Sequence, residues 1–119
     1  MCSRWDLSEI AEEVIRFRSD RDWAQFHTPK NLVAGLTIEA AELQENFLWE
    51  DNLPANEVIE NAQRVELVAQ EMADVTVYLV MLAHDLNINL AEAVTSKLRD
   101  NARRYPADEY RGRADKAPH

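Results

Sequence analysis

Glycine and proline are scarce in this chain, and their scarcity constrains the fold more than any other feature of the sequence. The 119 residues include two Gly and four Pro, and residues 55–105 contain neither. Because these two residue types interrupt helices most strongly, long segments without them favour helical structure. With 46% hydrophobic residues, the chain is long enough for one domain with a substantial core. The sequence therefore predicts an all-α domain.

Four segments combine a helical spacing of apolar residues with helix start signals. Asp6 and Asn89 each stand three residues before a Glu, which is the spacing of a capping box. Thr28 precedes Pro29, a capping side chain followed by the ring that suits the first helical position. The predicted helices cover residues 7–20, 29–49, 56–86 and 90–104. Short links between them favour an antiparallel four-helix bundle.

The charge balance and the cysteine content exclude several classes of protein. The chain has 22 acidic and 13 basic residues, and a surface with a net charge of -9 does not attract nucleic acid or an anionic membrane. Cys2 is the single cysteine, so neither an intramolecular disulfide nor a thiolate metal cluster is expected. No apolar run reaches the about 18 residues of a membrane span, and no signal-peptide core is recognisable. These features predict a cytoplasmic protein that binds neither nucleic acid nor membranes.

Two pairs of carboxylates form the candidate chemical centre of the bundle. Glu39 and Glu42 lie on the second predicted helix, and Glu71 and Asp74 lie on the third. Three residues correspond to about 60° around a helix axis, so both members of a pair share one face. Each pair could bind a cation, and a solvated helix face is the alternative explanation.

The apolar surroundings of these carboxylates favour a bound cation over a solvated face. Glu39 lies within an apolar stripe, and Asp74 is the only charged residue in segment 72–83. Uncompensated carboxylates in such surroundings are costly. Arg64 is the only Lys or Arg in residues 31–96, so ion pairs within the central helices cannot neutralise the group. A metal ion could do so.

The ligand set indicates a hard divalent cation. Only oxygen ligands are at hand, which suits Mg²⁺, with Mn²⁺ as a possible substitute. A di-iron bundle normally needs Glu-x-x-His on two helices, and the sequence contains no such motif. Mg²⁺ held by a few carboxylates typically keeps positions for phosphate oxygens, so phosphate chemistry is the predicted reaction class.

Two further patterns fit a phosphorylated ligand with an aromatic base. Lys97, Asn101 and Tyr105 recur every four residues on the last predicted helix and could contact phosphates, although a snorkelling Lys and a cap-region Asn are the alternative. Aromatic side chains could stack on a base or simply fill the core. The aromatic candidates are Trp23, Phe26, Trp49 and Tyr78. The sequence has no Gly-rich loop, which rules out a P-loop.

Five stretches within residues 21–106 resemble a known family. They are Arg21–Leu32, the Glu-x-x-Glu at 39–42, Phe47–Trp49, Glu71–Leu79 and Lys97–Pro106. They are similar to the all-α nucleoside triphosphate pyrophosphohydrolases of the MazG-like family, in the branch that contains dCTP pyrophosphatase. The resemblance implies a MazG-like helical catalytic domain, which we place at residues 1–106. Residues 107–119 are polar and predict a C-terminal tail that is either frayed or forms a short arm over a neighbouring subunit.

The resemblance also implies roles for individual residues. The implied metal ligands are Glu39, Glu42, Glu71 and Asp74; the implied base contacts are Trp23, Trp49 and Tyr78; the implied phosphate contacts are Lys97, Asn101 and Tyr105. In animal members of this branch a His on the first helix approaches the nucleotide, and Val14 stands at the matching place here. His27 is the candidate substitute, and the preference for cytosine stays open.

The activity that the resemblance implies is Mg²⁺-dependent hydrolysis of a deoxynucleoside triphosphate such as dCTP to the monophosphate and pyrophosphate, as nucleotide-pool house-cleaning. Glu39 or Glu42 would act as the base, and Lys97 would neutralise charge on the departing pyrophosphate. The implied assembly is a homotetramer built as a dimer of dimers. Two alternatives stay open: the same fold acting on dUTP or a phosphoribosyl nucleotide, and a non-catalytic acidic helical interaction module.

Overall fold

A computed structural model of the chain describes residues 7–118, and over this range the structure contains helices and no β-strand. The predicted cap Asp6 lies outside these residues. The helices are α1 (Leu7–Asp20), α2 (Pro29–Glu45), α3 (Ala55–Val58), α4 (Ala62–Asp85), α5 (Leu90–Arg104) and α6 (Ala107–Tyr110), with a 3-10 turn at Ala24–Phe26. None of these helices is long and apolar enough to cross a membrane. The predicted all-α class is confirmed.

The chain divides into two compact units after Leu86, and each is described by itself. In the first unit, α2 packs along α4, and α1 packs on α4 as well. The best-buried apolar side chains of this unit belong to these helices, with Leu32 on α2 and Val80, Met81 and Ala83 on α4. The packing of α2 on α4 therefore forms the centre of the first unit.

The helix starts follow the predicted capping signals. Thr28 Oγ1 accepts a hydrogen bond from the backbone N–H of Asn31 at 3.1 Å, and Pro29 occupies the first turn of α2. Asn89 Oδ1 accepts one from the N–H of Glu92 at 3.1 Å at the start of α5. Each cap satisfies an N–H that has no partner within its own helix, so the sequence signals define the starts of α2 and α5.

Two predicted helix boundaries are wrong. The second helix was expected to reach residue 49, but α2 ends at Glu45. The side-chain N–H₂ of Asn46 donates to the carbonyls of Glu42 and Leu43 at 3.2 and 3.4 Å, which satisfies carbonyls that the helix leaves open.

The third helix was predicted as one element over 56–86, but it is split. A single turn, α3, is followed by α4 from Ala62, because Asn61 adopts an extended backbone with φ -97° and ψ 92°. The Asn61 side chain accepts a hydrogen bond from the N–H of Arg64 at 3.1 Å and so caps α4. The helical spacing of apolar residues continues from Val58 to Ala62 and Val65, so the sequence pattern gives no sign of a cap at Asn61.

The second unit contains α5, α6 and the segment that follows. The backbone N–H of Ala117 donates to the Tyr105 hydroxyl at 3.1 Å, and Ala117 is only 4% exposed. The rings of Tyr105 and Tyr110 meet edge to face at 5.0 Å between centroids. The residues predicted as a polar tail therefore include a short helix, α6, and a buried contact at Ala117. The domain boundary at residue 106 stays a prediction.

Candidate functional site

Three glutamates form a compact cluster between α2 and α4. Glu39 and Glu42 lie one turn apart on α2, and Glu71 projects from α4. One carboxylate oxygen from each of the three lies within 4.8 Å of the others. Glu39 and Glu42 therefore lie opposite Glu71 across the packing of α2 on α4.

The surroundings of the cluster oppose the ionisation of Glu39 and of Glu71. A hydrogen bond with Glu42, followed by loss of hydration and repulsion from Glu42, Asp74 and Glu71, raises the pKa of Glu39 to about 7. For Glu71, loss of hydration is the main cause of a raised pKa, and the charge of Glu42 is the next. Carboxylates in this arrangement must either hold protons or share a positive charge.

Two oxygens of the cluster have no polar partner. Glu39 Oε2 and Glu71 Oε2 are buried, and neither has a hydrogen-bond partner within residues 7–118. Buried polar atoms are normally paired, because an unpaired acceptor loses its hydration without compensation. An oxygen-only cluster with unpaired, mutually repelling carboxylates fits a hard divalent cation such as Mg²⁺.

Asp74 lies beside this cluster. It is exposed, and the close set of oxygens is drawn from the three glutamates only, among the residues that the structure describes. Its charge nevertheless contributes to the raised pKa of Glu39 and of Glu71. Asp74 is therefore within electrostatic reach of the glutamates and lines the cavity next to them.

A cavity of about 480 Å³ in the first unit lies next to the acidic cluster. Phe17, Trp23 and Tyr78 form its aromatic wall. Glu39 and Asp74 line the cavity together with the predicted base contacts Trp23 and Tyr78 and with His27. The remaining lining residues are Glu13, Val14, Arg18, Val77 and Met81. Val14, the place where animal relatives were expected to carry a His, thus borders the same cavity.

Two residues of the aromatic wall, Phe17 and Trp23, come from α1 and the segment after it. The rings of Phe17 and Trp23 meet edge to face at 5.6 Å between centroids, and the Arg21 guanidinium lies 3.7 Å from the centre of the Phe17 ring. Trp23 remains 44% exposed. An apolar, partly open wall next to a group of carboxylates can hold a flat ring.

His27 and Arg18 add polar groups to the cavity lining. His27 is half-buried, and its Nδ1 is buried without a hydrogen-bond partner in the described part of the chain. The sequence reading missed Arg18, which is 5% exposed and donates to both oxygens of Asp85 at 2.8 and 2.6 Å. Arg18 and Asp85 lie 67 positions apart, and no local spacing could have paired them.

Trp49 lies apart from the other predicted base contacts. It is 92% exposed and lines a second cavity of the first unit, of about 400 Å³, together with Glu50 and Arg64. Arg64 donates to both oxygens of Glu50 and, at 2.5 Å, to the carbonyl of Asn46. Arg64, the only Lys or Arg of residues 31–96, is therefore paired with Glu50 and does not neutralise the glutamate cluster.

The predicted phosphate contacts belong to the second unit. Lys97 and Asn101 lie on α5, and Tyr105 directly follows this helix. Lys97 is exposed, whereas Asn101 and Tyr105 are half-buried. The Tyr105 hydroxyl accepts the hydrogen bond from Ala117, so it remains able to donate one.

Comparison with known proteins identifies the class. The chain belongs to the MazG-like family, because the model of that family matches residues 35–118. It is 40% identical to mouse dCTP pyrophosphatase 1 over 111 residues, which is 92% of this chain and 65% of the relative. Human dCTP pyrophosphatase 1 is 41% identical over 102 residues, which is 85% of this chain and 59% of that protein. The chain thus spans less than two thirds of the length of these relatives.

A solved structure supports the same assignment. The crystal structure of a pyrophosphatase from Archaeoglobus fulgidus is 37% identical in sequence and matches with a TM-score of 0.75. The match covers 89% of this chain and 97% of the archaeal chain. The resemblance expected from the five sequence stretches is therefore confirmed, as is an all-helical fold that is similar to a pyrophosphatase.

Proposed function

We propose that this chain is a nucleoside triphosphate pyrophosphohydrolase that converts a deoxynucleoside triphosphate such as dCTP and water to the monophosphate and pyrophosphate. The observation that carries this proposal is the cluster of Glu39, Glu42 and Glu71 at the border of an aromatic cavity. The relatives named dCTP pyrophosphatase 1 and the archaeal pyrophosphatase support it. Residues 1–106 form the catalytic domain in this proposal, and the role is house-cleaning of the nucleotide pool in the cytoplasm.

Four carboxylates hold the metal in this proposal. Glu39, Glu42 and Glu71 supply the close oxygens, and Asp74 completes the set from the cavity wall. The unpaired buried oxygens suit Mg²⁺, with Mn²⁺ as a substitute, and among residues 7–118 the cluster consists of carboxylates alone. When bound, Mg²⁺ supplies positive charge that draws in the phosphates and stabilises the charge that develops on them.

The chain's own residues then orient the reactants. The oxygen of a water attacks the α-phosphorus, the bond from that phosphorus to the bridging oxygen of the β-phosphate breaks, and pyrophosphate leaves. Glu39 and Glu42 lie one turn apart within the cluster, and in this proposal one of them orients the water and accepts its proton. Lys97, Asn101 and Tyr105 contact the phosphates in this proposal, and Lys97 offsets charge on the departing pyrophosphate.

The base occupies the aromatic cavity. Trp23 and Tyr78 border it, and a volume of about 480 Å³ is ample for one nucleobase. His27 supplies a polar group at the same cavity. Trp49, which is almost fully exposed in the single chain, is also assigned to base binding on the strength of its place in the family motif.

The active form in this proposal is a homo-oligomer, a tetramer arranged as a dimer of dimers. Several large apolar side chains are exposed to solvent in one copy of the chain. Packing them against another copy would remove this apolar surface from water. Those more than half exposed include Phe26, Ile38, Met72, Val94 and Leu98. Sedimentation at several protein concentrations tests this part, and a monomer at micromolar concentration would contradict it.

Pyrophosphate release from a panel of nucleotides with Mg²⁺ tests the activity. We expect turnover of dCTP by the wild-type chain and its loss in Glu42→Gln and in Asp74→Asn, with circular dichroism unchanged. Near-normal turnover in either variant would contradict the site. Turnover of dUTP or of a phosphoribosyl nucleotide instead of dCTP would support the same-fold alternative, and binding of Mg²⁺ without any turnover would support a non-catalytic interaction module.

A further inference from the structure

Gly35 stands at an unusual place for a glycine, in the interior of α2. The chain contains two Gly, and the other, Gly112, has a positive φ of 76° that explains its presence. Gly35 has no such backbone requirement, because it lies within a regular helix. Glycine destabilises a helix interior relative to alanine, so a side chain must be excluded here for another reason.

The reason is the ring of Tyr78. A Cβ atom built on Gly35 would lie 2.5 Å from Cε1 and from Cζ of Tyr78 and 3.0 Å from Cδ1. These distances are far below ordinary carbon contacts of about 3.5–4.0 Å. The Tyr78 ring therefore lies directly against the α2 backbone, in space that any other residue would fill.

The position of this contact connects it to the site. Gly35 is one turn before Glu39 on α2, and Tyr78 is one turn after Asp74 on α4. Along the two packed helices, the Gly35–Tyr78 contact therefore lies one helical turn from Glu39 and from Asp74. Tyr78 lines the cavity, whereas Gly35 is not one of its lining residues.

We infer that Gly35 is a positioning residue: it holds the Tyr78 ring back against α2 and thereby sets the room that the cavity offers to a base. This inference rests on the proposed function. A methyl group at position 35 displaces the ring toward the cavity, which narrows the space beside Asp74. Because only the base pocket changes, binding of the nucleotide suffers more than the chemical step.

The kinetic test is Gly35→Ala with dCTP and Mg²⁺. We expect KM to rise about tenfold while kcat stays within about threefold of wild type, the pattern of a lost binding interaction. Ala34→Ser is the matched control, because it adds one heavy atom at an exposed position of the same helix. Unchanged KM in Gly35→Ala would overturn the inference, as would an equal effect of the control.

A double-mutant cycle shows whether Gly35 acts through the ring. In a Tyr78→Ala background the added methyl has nothing to displace, so Gly35→Ala should change KM by less than about twofold. In a Tyr78→Phe background the contacting ring carbons are retained and the full effect should persist. An undiminished effect in the Tyr78→Ala background would contradict a role through Tyr78.

Melting temperatures give a readout that does not need activity. Gly35→Ala should lower the melting temperature of the wild-type chain, because the ring is displaced, and raise it in the Tyr78→Ala background, because alanine favours the helix. An increase in both backgrounds would show that the ring does not occupy this space. If the wild-type chain released no pyrophosphate, the proposed function would fail, and the melting temperatures would still decide the contact.

Discussion

The guanidinium of Arg18, near the end of α1, donates two hydrogen bonds to the carboxylate of Asp85, the last residue of α4. The distances are 2.8 and 2.6 Å, and the side chains are 6% and 25% exposed. The pair connects the first helix to the longest one at the border of the cavity. Arg18 is less accessible to water than Asp85, so replacing one partner should change the folding stability by a different amount than replacing the other.

Removal of Asp85 should cost more stability than removal of Arg18. Asp85→Asn leaves a buried guanidinium without a counter-charge, for which losses of about 3–5 kcal/mol are typical. Arg18→Met leaves a carboxylate that is a quarter exposed and can regain hydration, so we expect only about 1–2 kcal/mol there. Urea unfolding at pH 7 measures both. Equal losses, or a larger loss in Arg18→Met, would contradict the asymmetry.

The same pair predicts a loss of stability in acid. Hydrogen bonds from Arg18 hold the pKa of Asp85 below its ordinary value. A carboxylate with a lowered pKa stabilises the folded state above its unfolded-state pKa, and this contribution disappears as the pH falls through the lowered value. The stability of the wild-type chain relative to Asp85→Asn should therefore shrink below about pH 4. A difference that stayed constant down to pH 2 would argue against this ion pair.

The glutamate cluster predicts the opposite dependence on pH in metal-free protein. Its neighbours raise the pKa of Glu39 to about 7, so the folded state binds a proton that the unfolded state releases above about pH 4.5. The contribution of Glu39 to stability should fall as the pH rises from about 4.5 to 7. Glu39→Gln should flatten this part of the stability profile.

The matched control for this profile is Glu66→Gln, an exposed glutamate of α4 outside the cluster. It makes the same chemical change, Glu to Gln, away from the cluster and should leave the slope unchanged. Addition of Mg²⁺ at pH 7 should raise the melting temperature of the wild-type chain and of the control, but not that of Glu39→Gln. Equal stabilisation of all three proteins would place the cation elsewhere.

The contacts of Arg64 should slow amide hydrogen exchange in residues 46–51, the segment that follows α2. Arg64 donates to Glu50 and to the carbonyl of Asn46, and its guanidinium lies 4.7 Å from the centre of the Phe47 ring. Arg64→Met removes these three contacts while keeping the apolar stem, so amides of residues 46–51 should exchange with solvent at least about tenfold faster. Hydrogen exchange measures this. Unchanged exchange would show that the segment is held by other contacts.

The sequence could predict those parts of the fold that depend on a few neighbouring residues. Thr28 and Asn89 mark the starts of their helices because a cap needs only a few neighbouring residues. The spacing of each carboxylate pair is likewise a local signal, since three residues put both members on one face of a helix. That Glu71 lies close to Glu39 and Glu42 depends on the packing of α2 on α4. The end of α2 and the split before α4 were missed because Asn46 and Asn61 lie within apolar spacing that continues past them.

The parts that sequence could not predict depend on contacts between distant segments. Arg18 is a basic residue in the last turn of its helix, and no neighbouring residue in the sequence indicates its contact with Asp85. Gly35 lies in the interior of α2, and no local pattern indicates that the Tyr78 ring packs against it. The separate position of Trp49 likewise follows from the early end of α2, which no spacing rule indicated.

Anomalous diffraction from crystals soaked in Mn²⁺ shows directly whether the glutamate cluster binds a cation, because it locates the ion without relying on turnover. We expect a peak bounded by the carboxylates of Glu39, Glu42 and Glu71, with Asp74 adjacent, and its loss in Glu71→Gln crystals treated identically. A cluster without a peak at saturating Mn²⁺, or a peak that survives the substitution, would contradict the assignment of these glutamates as the metal site.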